Sequence, residues 1–161
     1  MTKTKKIAFL GMGIALYVVL GLVLQLPIFA NSHLQTDLGY VAFGVYCVCF
    51  GWLGAVVGVI GCLLESVLTC GWIPVGWMLG QAIVGLMVGY TCKKTKNTAI
   101  WIIVTALAMF IGIGLVKTII ECALFNIPFA VKFTKNLVAF VFDLVPMTLG
   151  LGIGKQLKNR I

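Results

Sequence analysis

The sequence predicts an all-α integral membrane protein, a compact bundle of six transmembrane helices forming one domain over residues 1–161, with both termini cytoplasmic. Three observations predict it. Hydrophobic residues make up 61% of the chain and charged residues only 10%, whereas a soluble domain carries roughly 25% charged residues. The apolar residues fall in runs close to, or multiples of, the roughly 20 residues that cross a hydrocarbon core. The basic residues gather where an even number of spans would put them on one side.

The first run extends from Ile7 to about Ala30, closing near Pro27, and the polar stretch Asn31-Ser-His-Leu-Gln-Thr-Asp37 follows it. The next run, Gly39 to Thr91, is far too long for one span. Glycine and proline punctuate it at Gly51-Trp-Leu-Gly54 and Gly71-Trp-Ile-Pro74, dividing it into three. The first of these pieces is short, a helix of less than full span or a tilted one. Beyond Cys92-Lys-Lys-Thr-Lys-Asn97 comes a fifth span, Thr98 to Cys122. A connection from Asn126 to Lys135 then leads to a sixth, Asn136 to Gly154.

Charge tests this division. Six spans put Lys3, Lys5, Lys6, the cluster Lys93, Lys94 and Lys96, and the final Lys155, Lys158 and Arg160 on one side, leaving only Lys117, Lys132 and Lys135 elsewhere. That bias marks the cytoplasmic face of a cell membrane, most simply a prokaryotic plasma membrane. The net charge of +8 is thereby a topological signal, and nucleic acid is not an expected partner. The six cysteines show no metal-like spacing and read as small apolar filler.

All four acids, Asp37, Glu65, Glu121 and Asp143, fall away from the basic side. Ionisable groups at membrane depth usually face a bundle interior. Helical periodicity agrees, because Glu65 shares a face with Gly54, Gly58 and Gly61, which invites a neighbouring helix to approach. Trp77, Gln81, Gly85 and Gly89 line another helix, and Asn136, Phe140, Asp143, Met147, Gly150 and Gly154 a third. The polar ends of these faces converge on the outer half. The candidate ligand-binding residues are therefore Asn31, His33, Gln35, Asp37, Glu65, Trp72, Trp77, Gln81, Glu121, Asn126, Asn136 and Asp143. A pocket with aromatic walls and a few polar groups suits a small organic ligand.

Plainer roles fit several of them. Trp52, Trp72 and Trp101 suit an interfacial belt. Lys117 and Glu121, four apart, suit a simple ion pair. His33 suits a solvated loop, and Asp143 a structural role beside Pro146, which deprives the Phe142 carbonyl of its helical donor. No phosphate-binding G-x-x-x-x-G-K-[ST] loop, H-E-x-x-H motif or nucleophile–base pair is present. The chain is thus expected to be no enzyme, to use no cofactor or metal, and to have no ATPase of its own.

The whole chain resembles the substrate-binding S components of energy-coupling factor (ECF) vitamin transporters, the small riboflavin-type branch in particular. The likeness rests on the size, the basic tails, and Leu34-Gln-Thr-Asp-Leu-Gly-Tyr40 opening the second span. It rests also on Gly51-Trp-Leu-Gly-Ala-Val-Val-Gly58, and on Gly80-Gln-Ala-Ile-Val-Gly-Leu-Met-Val-Gly89 before a basic loop. The resemblance implies high-affinity capture of a micronutrient from outside, flavin, thiamine, a pterin or a queuine-type precursor. It also implies delivery through a transmembrane coupling protein and two ATPases. The family's coupling surface, an Ala-x-x-x-Ala pattern on the first span, is matched here in altered form by Gly11, Ala15 and Val19. The alternative function, from another class, is a self-sufficient membrane carrier or channel.

Overall fold

The structure is a computed structural model and describes residues 3–23, 26–27 and 35–158. Its helices are α1 (Lys3–Val23), α2 (Gly39–Phe50), α3 (Gly54–Cys70), α4 (Val75–Lys94), α5 (Thr98–Met109), α6 (Thr118–Phe125) and α7 (Phe129–Lys158). A 3-10 turn, Gly51–Leu53, joins α2 to α3, and a π-helical segment, Phe110–Lys117, joins α5 to α6. Between α1 and α2 the backbone of β1 (Leu26–Pro27) pairs antiparallel with β2 (Gln35–Thr36), Leu26 opposite Thr36.

Among the described residues, five helical stretches are long and apolar enough to cross a membrane, where six were expected. The difference lies in Gly39–Cys70, one apolar stretch that is not one rod. Gly51, at φ 65°, takes a left-handed conformation that a side chain resists, and the chain turns back on itself. Gly54 then lies against the Cys47 backbone and Gly58 against the ring of Phe43, so α2 and α3 form an antiparallel hairpin. With 12 residues, α2 rises about 18 Å, short of the roughly 30 Å of a hydrocarbon core. It is a short helix sheltered by its neighbours.

Other boundaries also move. The first helix stops at Val23, not near Ala30, and the backbone is extended by Leu26–Pro27. The fifth run reaches Phe125 rather than Cys122, where Asn126 ends it at φ 51°. The last helix starts at Phe129, seven residues before Asn136. The Pro128 carbonyl accepts the N–H groups of Val131 and Lys132, so the lysines that suggested a loop belong to a helix. That helix runs on through Pro146. Trp101, expected at an interface, is buried, its indole N–H donating to the Thr95 carbonyl at 2.8 Å.

Small residues set the helix spacing. Gly44 and Gly150 bring α2 against α7, Gly80 and Gly112 bring α4 against the π segment, and Gly85 rests on Ala55 across the α3–α4 contact. Two approaches are especially tight: a methyl group at Gly89 would run into the Gly51 carbonyl oxygen, and one at Gly150 into that of Val41. One end of the bundle is basic. There Lys155 Nζ donates to Thr98 Oγ1 at 2.5 Å, Lys158 Nζ to the Cys92 carbonyl at 3.4 Å, and Lys93 lies beside Gly51. Phe9 of α1 packs on Phe50 at 5.8 Å, which brings the lysines at the start of α1 to the same end.

Candidate functional site

Half-way along the bundle the inward faces of five helices enclose polar groups. Tyr17 of α1 stands four residues from both Gly13 and Gly21 and is fully buried against Gly61. Its hydroxyl donates to Asp37 Oδ2 at 2.7 Å. Asp37 Oδ1 accepts the Gly39 N–H at 2.7 Å, a turn in which the side chain holds the backbone two residues on, and so fixes the entry to α2. The Asp37 N–H donates to Asp143 Oδ1 on α7 at 3.1 Å. From α4, Gln81 Nε2 donates to the Tyr40 hydroxyl at 2.6 Å and Trp77 Nε1 to the same oxygen at 3.2 Å. Lys117, at the end of the π segment, holds its ammonium 4.3 Å from the centre of the Trp77 ring.

Glu65 of α3 completes the cluster. Its carboxyl group is backed by Gly21, where a methyl group would come within 2.7 Å of it, and it adjoins the carboxyl of Asp37. Three acids, Asp37, Glu65 and Asp143, are thus buried together. Burial pushes the Asp37 carboxyl up to about 6, against the opposing pull of the Tyr17 hydroxyl, the Gly39 N–H and the Lys117 ammonium. Two acceptors in this cluster, Glu65 Oε2 and Gln81 Oε1, have no hydrogen-bond partner among the described residues, a condition shared elsewhere by Thr105 Oγ1 on α5. Turning the Gln81 amide over changes which end is unpaired and still leaves one. An unmet buried acceptor such as Glu65 Oε2 costs about 1–3 kcal/mol, and a bound molecule with a donor would relieve it; at Gln81 the unpaired end is an acceptor in this orientation and a donor in the other.

A second polar group sits nearby between α6 and α7. Glu121 pairs with Lys132 at 3.2 Å, and Asn136 Nδ2 donates to Thr118 Oγ1 at 2.9 Å and to Glu121 Oε2 at 3.3 Å. Lys117 and Glu121 therefore have separate partners. The structure gathers Asp37, Glu65, Trp77, Gln81 and Asp143 into one cluster and Glu121 and Asn136 into another. Trp72 stands apart, 41% exposed and edge-on to Phe125, as does the exposed Asn126. Asn31 and His33 lie outside the described residues, and Gln35 contributes backbone to β2. Gly11, Ala15 and Val19 lie on the exposed face of α1, with nothing near Gly11. Among the described residues no group of side chains is arranged to hold a metal ion.

Tyr17, Tyr40 and Lys117 were not among the candidates. Tyr17 had a legible signal, a tyrosine midway between Gly13 and Gly21 on an otherwise apolar helix. Tyr40 had none, because a tyrosine opening a span looks like an interfacial anchor. Lys117 was diverted by its spacing to Glu121.

Comparison with known proteins agrees with this architecture. The crystal structure at 2.1 Å of the S-component for biotin from an ECF-type ABC transporter superimposes with a TM-score of 0.73, covering 99% of this chain and 95% of that one. At 18% identity the likeness speaks for the fold. A UPF0397 protein of Streptococcus thermophilus is 30% identical over 150 residues, 87% of this chain and 82% of its own. UPF0397 protein VS_II0189 of Vibrio atlanticus is 28% identical over 171 residues, 97% and 92% of the two chains. The family described as the ECF-type riboflavin transporter, S component, matches residues 1–160. Such subunits bind substrates for transport and are not enzymes. With a match that leaves out only the final residue, the chain belongs to the ECF-type riboflavin transporter S component family.

Proposed function

We propose that this membrane subunit captures a nitrogen-heterocyclic micronutrient from outside the cell in the Tyr17–Asp37–Glu65–Gln81 cluster and passes it to an ECF module. The observation that carries the proposal is the pair of unpartnered buried acceptors, Glu65 Oε2 and Gln81 Oε1, in one polar network beside the Trp77 indole. Ring N–H and amino groups are the donors such acceptors lack, and an indole offers a flat heterocycle a stacking face. Flavin, thiamine, a pterin and a queuine-type precursor all present that chemistry.

The basic end is the cytoplasmic one in this proposal, and the acid-lined site opens toward the other side. The exposed face of α1 around Gly11, Ala15 and Val19 receives the transmembrane coupling protein, which two ATPases energise. Mass spectrometry of small molecules that co-purify with the protein, followed by calorimetry across the four ligand classes, tests this. Tight binding of one class is the expected result, with uptake only in cells that supply the module. Flux through liposomes containing this chain alone would instead support a self-sufficient carrier.

A further inference from the structure

We infer that the empty site stores one proton between the carboxyl groups of Asp37 and Glu65, and that a ligand carrying positive charge takes the proton's place. This rests on the capture role proposed above and narrows its substrate class.

The argument begins with charge. Asp37 is 6% exposed, Glu65 6% and Asp143 4%, so none of the three is neutralised by bulk water. The groups facing the Asp37–Glu65 pair, among the described residues, are Tyr17 from α1, Tyr40 from α2, Cys62 from α3, Lys117 from the π segment and Asp143 from α7. Among the described residues, Lys117 is the one cation acting on this cluster, and its ammonium is already engaged by the Trp77 ring at 4.3 Å. Three ionised acids against one ammonium leave two uncompensated charges in a bundle interior, which is costly. Adjoining carboxyl groups have a common solution. One keeps its proton and donates it to the other, because two like charges so close do not both ionise.

The partner assignments agree. Asp37 Oδ2 takes the Tyr17 hydroxyl, Asp37 Oδ1 the Gly39 N–H, and Asp143 Oδ1 the Asp37 N–H. Glu65 Oε2 receives nothing from the described residues. A second unpartnered acceptor independent of the acids, Gln81 Oε1, belongs to a side chain with no exposure at all that reaches Tyr17 and Tyr40 from the opposite helix. A ligand with a positively charged edge serves both places. It supplies hydrogen-bond donors to Glu65 and Gln81 and replaces the displaced proton's charge, while the proton passes to bulk water. A neutral ligand satisfies Gln81 and leaves the proton where it is.

Infrared spectroscopy of the purified full-length protein tests this, with thiamine and queuine as positively charged probes and riboflavin as the uncharged one. The empty protein at neutral pH is expected to show a protonated-carboxyl band that disappears in Glu65→Gln, shifts in frequency in Asp37→Asn as its hydrogen-bond partner changes, and survives in Asp143→Asn, melting curves confirming that each variant is folded. A charged probe that binds should abolish the band in the wild type. Its affinity should rise by up to about tenfold per pH unit as pH increases through the neutral range, the slope of one released proton, and Glu65→Gln should flatten that slope. Absence of the band in folded, empty wild type overturns the inference. So does a charged probe that binds with the band intact, or tighter binding of riboflavin than of either charged probe. A band that is present while none of these probes, nor a pterin, binds supports the stored proton and overturns the capture role, so the two failures are distinguishable.

Discussion

Glu65 is held by what it lacks. Its described neighbours place it without giving Oε2 a donor, so on the proposed capture role Glu65→Gln keeps the shape and removes a charge-assisted bond to ligand worth roughly 1.5–3 kcal/mol, about tenfold or more in affinity. The ligand-free melting temperature should change little. Reduced apo stability with unchanged affinity would make Glu65 part of the scaffold. Asp37 gives a pH signature of its own. Its carboxyl is raised to about 6 from an ordinary 3.8, so the folded protein holds that proton more tightly than the unfolded chain. The stability contribution is fully present below about 4 and is lost as pH rises toward 6. Melting curves of the ligand-free protein should therefore fall across that window, and Asp37→Asn should flatten the decline. The sequence exposed both acids because carboxylates in apolar runs have few places to go. It hid Tyr40 and the station of Lys117 because both depend on which helices meet, and spacing along one helix is silent on that.

At the scale of elements, glycine and proline punctuation located most helix ends to within a few residues, since the breaks are local chemistry. The α2–α3 hairpin was legible as a division at Gly51, while the shortness of α2 makes sense only once α7 and α3 are seen to cover it. The π segment was invisible, because a wider turn changes register without changing composition. Its cause is clearer in three dimensions, where Gly112 lets it meet the backbone of Gly80. The contact of Gly89 with the Gly51 carbonyl predicts that Gly89→Ala destabilises the protein by about 1–3 kcal/mol, the usual cost of overpacking. Unfolding in mixed detergent would measure it, and a stability equal to wild type would show that the hairpin can open to admit the methyl group.

For the whole molecule, charge bias predicts the orientation and the cysteines report it. Cys70 is exposed at the end of α3 away from the basic residues, whereas Cys49 lies half-buried near Gly154, at the basic end. A membrane-impermeant maleimide applied to intact cells should label Cys70 and spare Cys49. The reverse pattern would invert the topology. The family could be recognised from sequence because its likeness is spread over the full length of the chain. Its cargo could not, because the clustered polar groups proposed to hold it come from five helices and no single stretch holds more than two of them.

The depth of Asp143 bears on how the proposed site would empty. It lies fourteen residues along α7 from Phe129, about 21 Å of helix, and Asp37 is tied to it. On the proposed capture role, a molecule seated among Tyr17, Tyr40 and Gln81 would be released by disrupting the hydrogen bonds that join them, and tight binding would come chiefly from slow departure and not from fast arrival. On that reading the loaded subunit alone would be a trap with a long dwell time. A partner that forces α1 and α2 apart would shorten that dwell, and ATP hydrolysis would then have a kinetic task, to empty a site that otherwise stays full.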